Sequence, residues 1–362
     1  MENNSNQKQD CPLVFVRCLT FNHEAYIEDA LNGFVMQQTN FPFVVTIVND
    51  ASPDNTKNVI EKFITNICES SNIIHEQTSY ADIIKATPKE NPNCLLFILN
   101  LYENHFLKKS HRPYYQEYVD KAKYWAECEG DDYWTDPLKL QKQVDILEAN
   151  LELSVCVSQV QTVSVAKEKL NWLIPARGII DNGVFTMNDF CRLEWGGMQW
   201  VFHYNSLMCR RDYAIKWVEN KIMKMFPYGD MPLILFCLLN GNGYFLSDVM
   251  SCYRVDSGGY NSSMNKNPIK NIQQEKQLVL ALRAFDLYTY NKYHKYVQQR
   301  IRLCEYREYT LGDKNHWRVI LPQYWCCLPG ETARQKILNA MDFVMPNFRK
   351  WLKNAKNTLV HL

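Results

Sequence analysis

Four short apolar runs, each ending in a polar loop, constrain this chain more than any other feature. They are Leu13–Leu19 (LVFVRCL), Phe43–Val48 (FVVTIV), Cys94–Leu101 (CLLFILNL) and Tyr124–Cys128 (YWAEC). Runs of this length, apolar with little alternation, read as strands buried on both faces. Helical spacing lies among them. Glu24–Gln38 carries apolar residues at Ala25, Ile27, Leu31, Phe34, Val35 and Met36. The turn Asn49–Thr56 caps a helix over Lys57–Cys68, and Pro137–Asn150 starts with a proline near its first turn. Strand and helix alternating over the first 150 residues predict an α/β fold with a mostly parallel sheet flanked by helices. In open sheets of this kind ligands gather at the carboxyl ends of the strands. Three strand ends here are polar, at Asn22, Asp50 and Asp131, and should converge on one site.

The rest of the chain is less regular. Leu153–Val160 reads as a strand, Phe185–Cys191 as a short helix, Asp230–Leu239 as an apolar helix and Gly243–Val255 as an extended segment. From Asn271 onward strand alternation is absent, and Gln274–Glu305 and Glu331–Met345 read as helices. Of the 362 residues 46% are apolar and 22% charged, which is ordinary globular usage. Lys and Arg number 40 against 39 Asp and Glu, so bulk charge gives no case for a nucleic-acid partner. Thirteen cysteines, an odd number without a Cys-x-x-Cys pair, predict reduced thiols in a cytoplasmic protein. Met1–Asp10 is polar and reads as a flexible terminus without a secretory h-region, and the apolar run Met231–Leu239 is too short to span a bilayer. No P-loop, dinucleotide fingerprint or Gly-x-Ser-x-Gly elbow is present.

The densest chemistry lies in Glu129-Gly130-Asp131-Asp132, three carboxylates in four residues after a buried strand. Such a loop repels itself unless a cation joins it. Mg2+ is typically held by one or two carboxylates plus substrate phosphates. A solvated turn with helix-capping acids is the plainer alternative.

Three stretches in order, Leu13–Val16 with Thr20-Phe21-Asn22-His23, then Val48-Asn49-Asp50-Ala51-Ser52, then Glu129–Leu140 (EGDDYWTDPLKL), resemble a family 2 glycosyltransferase of the bacterial polysaccharide-biosynthesis type. Tyr228–Leu233 and Tyr253–Gly259 resemble the acceptor half of bacterial members. The resemblance implies a GT-A fold. Residues 11–265 would form the catalytic domain, with a nucleotide-sugar half (11–150) and an acceptor half (151–265), followed by a helical C-terminal region (266–362). It implies that Thr20, Asn22 and Asp50 grip the nucleoside and that Asp131 faces the ribose or metal. Asp132 would ligate Mn2+ or Mg2+. Asp230, at a helix start, would be the base that deprotonates the acceptor hydroxyl. Arg254 would approach the diphosphate. Capping or ordinary ion pairing are the alternatives for Asn22, Asp50, Asp230 and Arg254.

The activity so implied is inverting, metal-dependent hexosyl transfer from a nucleotide-sugar, a UDP-sugar first, to a glycan or lipid-linked saccharide of the cell envelope. A non-catalytic nucleotide-sugar or glycan-binding protein with the same fold is the alternative. Three departures bear on it. Asp256 stands where similar proteins carry His and is read as a possible metal ligand, Asn49 stands where Asp is common, and Pro53-Asp54-Asn55 replaces a more usual Thr-Asp-Gly. Ile74–Lys123 does not align with compact members; its Lys108, Lys109 and Arg112 read as a solvated basic loop. Trp200 and His203 could stack on an acceptor sugar or pack in the core. The basic-aromatic segment Phe348–Lys353 could lie peripherally on the inner face of a membrane, or pack through Trp351 and Leu352.

Overall fold

The computed structural model describes residues 11–105, 111–197, 200–258 and 267–311, with a few isolated positions beyond. The expected strands and helices of the first half are present: β1 (Val14–Thr20), α1 (Ile27–Val35), β2 (Phe43–Asn49) and α2 (Thr56–Ile67). Next come β3 (Cys68–Gln77), β4 (Ala81–Pro88), β5 (Cys94–Leu101), α3 (Gln116–Lys121), β6 (Tyr124–Glu127), β7 (Tyr133–Trp134) and α4 (Lys139–Ala149). The second half contains β8 (Leu153–Val163), β9 (Lys169–Ile174), β10 (Gly183–Phe185), α5 (Met187–Phe190), β11 (Met208–Arg210), α6 (Arg211–Lys216), α7 (Asp230–Asn240) and β12 (Asn242–Arg254). Two further helices, Pro268–Tyr288 and His294–Leu311, follow.

All twelve strands join one sheet, in the order β10-β12-β8-β11-β6-β1-β2-β5-β4-β3, with β7 on β12 and β9 on β8. The central block β6-β1-β2-β5 is parallel, as is β8 with β12. The flanks are antiparallel through β3, β4 and β11. Period-two alternation sends neighbouring residues of β1 to opposite layers. Val14, Val16 and Cys18 pack with Leu31 and Phe34 of α1, Ile60 of α2 and Leu140 of α4. Phe15 packs on the other face with Trp125, Leu235 of α7, and Phe285 and Val297 of the C-terminal helices. Both faces are covered, which explains the unbroken apolar run.

Several expectations are corrected. Phe185–Cys191 is not one helix: Phe185 ends β10, Thr186 caps the short α5, and a π-turn over Cys191–Gly196 follows. The unaligned stretch after Ile74 contains the antiparallel pair β3–β4, and Arg112 opens a short 3-10 turn. Lys108 and Lys109 lie outside the described residues. The helix expected over Gln274–Glu305 is two helices, broken where Tyr290 (φ 54°) and Asn291 (φ 59°) turn left-handed. Asn291 N–H closes the first helix onto the Asp286 carbonyl at 2.8 Å, a common C-terminal stop. The pair returns against the π-turn so closely that a Cβ on Gly196 would stand 2.9 Å from Tyr296 Cδ1. Most of Glu331–Met345, and all of Phe348–Lys353, lie outside the described residues. No described helix is long and apolar enough to cross a membrane. The described cysteines are free thiols, all buried except Cys11.

One charge is placed against this pattern. Lys139 of α4 is fully buried, its Nζ donating to Gln143 Oε1 at 2.7 Å and standing 4.4 Å from the Trp134 ring centroid. Burial lowers its pKa from 10.5 to about 8. Between those values the unfolded chain binds the extra proton, so stability rises with pH across that window and the full penalty applies below it. A shift of this size corresponds to about 3 kcal/mol. Losing the Gln143 bond costs about 1 kcal/mol. Lys139→Met is therefore expected to stabilise the protein by about 2 kcal/mol at pH 7 in urea melts, and the gain should shrink as pH rises from 8 toward 10.5.

Candidate functional site

The carboxyl ends of β1, β2 and β6 are stitched together by the backbone. Asp50 N–H donates to the Thr20 carbonyl at 3.0 Å, and Gly130 N–H to the Leu19 carbonyl at 2.9 Å. The loops after β1 and β2 then cross-link. Asn22 N–H donates to Ser52 Oγ, His23 N–H to Thr56 Oγ1, Glu24 N–H to Asp54 Oδ2, and Asn55 N–H back to Glu24 Oε2, all at 2.8–3.1 Å. Asn22 (φ 59°) and Ala51 (φ 56°) are left-handed, so both loops turn sharply at the sheet edge. Asn49 is buried, its amide donating to Asn100 Oδ1 at 3.0 Å and its Oδ1 accepting from Ser52 N–H at 3.3 Å. Asp50 Oδ1 accepts from His105 N–H at 2.6 Å, and the Asp50 carbonyl from Asn104 Nδ2.

The acidic loop sits against this platform with little clearance. A Cβ on Gly130 would stand 2.7 Å from Thr20 Oγ1 and 3.0 Å from His23 Nδ1, so glycine is required here for space. Thr20 Oγ1 and His23 Nδ1 are buried and have no hydrogen-bond partner among the described residues. His23 Nε2 lies 4.0 Å from Asp131 Oδ2, which accepts from Ser257 Oγ at 2.7 Å.

The structure separates the two adjoining aspartates. Asp132 is 3% exposed and faces inward. Its Oδ1 accepts from Arg254 N–H at 2.9 Å and its Oδ2 from Asn205 Nδ2 at 3.1 Å, with His203 Nδ1 at 3.7 Å. Burial, with Asp131 and Glu129 nearby, pushes its pKa well up. Both oxygens of Asp132, the residue expected to ligate a metal, are thus engaged by interior donors. Arg254 is likewise not presented to a diphosphate. It is 1% exposed, its Nη1 donating to the Asp131 carbonyl at 2.6 Å and its Nη2 to Asp29 Oδ2 at 2.7 Å. Its guanidinium lies over the rings of Tyr26 and Tyr133, at 4.6 and 5.3 Å. Asp256 is exposed in the turn after β12 at φ 60°.

Glu129, by contrast, is exposed, yet protein surrounds it on most sides. That enclosure, and the charges of Asp131, Glu127 and Asp230, push its carboxyl up to about 8. Asp230 is half-buried at the start of α7, and its Oδ1 accepts from Met231 N–H at 2.7 Å. Burial raises its pKa despite the favourable helix end. Glu194, in the π-turn, accepts from Val201 N–H at 2.8 Å. Burial and Asp230 raise its pKa to about 7, against the Val201 bond and Arg300 of the last helix.

Sequence reasoning missed Glu194. It also missed the buried pair beneath Glu129, in which Arg17 Nε donates to Glu127 Oε2 at 3.0 Å and Tyr204 Oη to Glu127 Oε1 at 3.0 Å. The one available signal was a charge inside an apolar run, in LVFVRCL, YWAEC and CRLEWGG.

Among the described residues, no three His, Cys, Asp or Glu side chains converge as a metal cage. The residues do fit a cation held by one or two carboxylates and completed by substrate and water. Asp131 and Glu129 are hard oxygen donors at the lip of the site, and enclosure with the charges of Asp131, Glu127 and Asp230 outweighs that of Arg17 at Glu129.

No protein-family model matches the chain. Uncharacterized proteins of Mycobacterium bovis and Mycobacterium tuberculosis are each 32% identical to it over 151 residues, 40% of this chain and 34% of theirs. The match thus spans about a third of the length of these curated relatives. Among solved structures, residues 1–349 of S. aureus TarS in complex with UDP-GlcNAc superpose with a TM-score of 0.53 at 16% identity. That match covers 87% of this chain and 79% of that one. The same protein in complex with UDP gives 0.51 at 14% identity, over 93% and 91% of the two chains. The chain has the α/β fold of these nucleotide-bound structures.

Two outcomes follow from the geometry. Asp132→Ala leaves Arg254 N–H buried without an acceptor and Asn205 Nδ2 with the Cys252 carbonyl alone, and should cost about 2–4 kcal/mol in urea melts, while Asp131→Ala stays within about 1 kcal/mol. Glu194 holds its proton up to about pH 7, whereas the unfolded chain releases it near 4.5. Its contribution is therefore present below that window and lost as pH rises through it. Thermal melts of Glu194→Gln should fall less steeply between pH 4.5 and 7 than those of the wild type.

Proposed function

We propose that this chain transfers a sugar, a hexose in the first instance, from a nucleotide-sugar donor to a saccharide acceptor. One observation carries the reading. The three cross-linked strand ends bring Asn22 and Asp50 beside Asp131 and Glu129, with Asp230 near enough to raise the Glu129 carboxyl. This arrangement occupies the end of the sheet where ligands bind in such folds. The solved structures that share the fold carry UDP-GlcNAc and UDP, which makes a UDP-sugar the first donor to test.

In this proposal the β1 and β2 loops receive the nucleoside through Asn22 and Asp50, and Thr20 Oγ1 and His23 Nδ1 supply unused polar atoms at the loop floor. Asp131, with Glu129 beside it, would hold Mn2+ or Mg2+, whose charge would offset that of the leaving diphosphate. Asp256 is exposed one turn away and could add a further oxygen. Asp230 acts as general base. Its raised pKa brings it closer to the optimum for taking a proton near neutrality. The acceptor oxygen attacks the anomeric carbon as its proton passes to Asp230. The bond from that carbon to the diphosphate oxygen breaks in the same displacement, which inverts the centre.

Residues 11–150 would then hold the donor and 151–265 the acceptor, with the helices Pro268–Tyr288 and His294–Leu311 packed against the same core. A glycan or lipid-linked acceptor of the cell envelope, met at the inner membrane surface, suits this division.

The test is calorimetric titration with UDP, GDP, CDP and dTDP, with and without Mn2+. One nucleotide should bind in a metal-dependent way, at least tenfold more weakly to Asp131→Ala. Asp230→Asn should keep that binding and lower turnover about 10²–10⁴-fold. No nucleotide binding by well-folded protein would overturn the proposal. Binding without turnover on any saccharide would leave a nucleotide-sugar-binding protein.

A further inference from the structure

A row of aromatic rings leads from the acidic loop to the surface. His203 and Tyr253 pack at 4.2 Å between centroids, next to Asp132. Trp200 touches both rings at 5.5 Å, and Trp172 of β9 stands 6.2 Å beyond it, tilted 35°. The inner members are tied to the site. His203 Nδ1 lies 3.7 Å from Asp132 Oδ2, and Tyr253 precedes Arg254, whose backbone and guanidinium hold the acidic loop.

The outer members are open. Trp172 is 42% exposed and Trp200 39%. The neighbouring described indoles Trp134 and Trp195 are buried in the core. Adjacent exposed indoles are costly to leave in water, because each ring carries a large apolar face. Packing does not account for them here, since the side chains stand on an edge strand and a loop rather than under a helix.

Position within the sheet indicates what the row receives. The order is β9 on β8, then β11, β6, β1 and β2. The acidic loop follows β6. Asn22 and Asp50 follow β1 and β2 on one side of it; Trp172, Trp200 and Tyr253 lie on the other. A nucleoside held by the first group leaves the aromatic row on the acceptor side of the transferred sugar.

We infer that Trp200 and Trp172 form a stacking platform for pyranose rings of a saccharide acceptor, the ring nearer Asp131 lying on Trp200. This inference rests on the transferase reading above. Ring chemistry favours a sugar. A pyranose presents a flat C–H face to an indole and keeps its hydroxyls at the rim, in solvent. Two adjoining indoles 6.2 Å apart match successive units of an oligosaccharide better than a single small alcohol.

The test titrates chitotetraose, cellotetraose, maltotetraose and α-mannotetraose into the full chain, read by tryptophan fluorescence, with UDP and Mn2+ titrated separately by calorimetry. At least one saccharide should shift the wild-type emission. Trp200→Ala should weaken that binding at least tenfold, Trp172→Ala about threefold or more, and Trp200→Phe should recover part of the loss. UDP affinity and the melting temperature should be unchanged in all three variants. Where turnover is measurable, transfer to saccharide should fall while transfer to water persists. The inference is overturned if no saccharide perturbs the wild type, if the alanine variants bind saccharide normally, or if a folded variant loses UDP along with saccharide. Saccharide binding that depends on Trp200 in a protein that binds no nucleotide would sustain the platform and defeat the transferase reading.

Discussion

The buried carboxylate of Asp132 is the contact on which the site depends. It joins three pieces of chain that sequence keeps far apart: the acidic loop after β6, the end of β12 at Arg254, and the turn carrying Asn205. A carboxyl group taken out of water is unfavourable unless each oxygen is satisfied. Here each oxygen has a donor. Arg254 extends the same clamp, with its guanidinium between two tyrosine rings and bonded to the Asp131 carbonyl and to Asp29 of α1. With Asp132 drawn inward, Glu129 and Asp131 remain at the lip of the sheet. The position of the chemically available acids thus follows from the unavailable one.

Charge around that lip is deliberately uneven. Glu127 closes β6 and Glu129 follows it by two residues in the acidic loop. Arg17 satisfies Glu127 at 2.9 Å, together with the Trp125 and Tyr204 side chains. Glu129 feels Arg17 too, but enclosure with Asp131, Glu127 and Asp230 outweighs it. A diphosphate approaching this face would meet like charge, so a divalent cation is the physical complement that lets anion and carboxylates coexist.

Much of the frame was legible in the sequence because its strands are buried on both faces. β5 is the run Cys94–Leu101 itself, β2 and β6 differ from their apolar runs by a residue at one end, and β1 is shifted by one residue at both. β3 was illegible: CESSNIIHEQ is exposed along nearly its whole length and holds its place by ladder bonds to β4. β7, β10 and β11 are two or three residues long and exist because a neighbouring strand is already in place. The helix break at Tyr290 and Asn291 carries neither Gly nor Pro. At the site, the cluster Glu129–Asp132 was visible as a group. Which aspartate faces inward was not, because Asn205 and Arg254, 73 and 122 residues away, decide it. The Arg17–Glu127 pair was hidden for the same reason, its members lying 110 residues apart.

The strand order has a further consequence for how the protein comes into being. β6 is flanked by β1, made more than a hundred residues earlier, and by β11, made some eighty later. β7, directly after the acidic loop, has no strand to pair with until β12 is made. During synthesis the loop with its three carboxyl groups emerges long before Asn205, Arg254 and Ser257 can meet it. The nascent chain must carry that mutual repulsion in solvent until the second half arrives. The first 150 residues are therefore not a unit of assembly by themselves, and a chain built from them alone would need another way to quiet those acids.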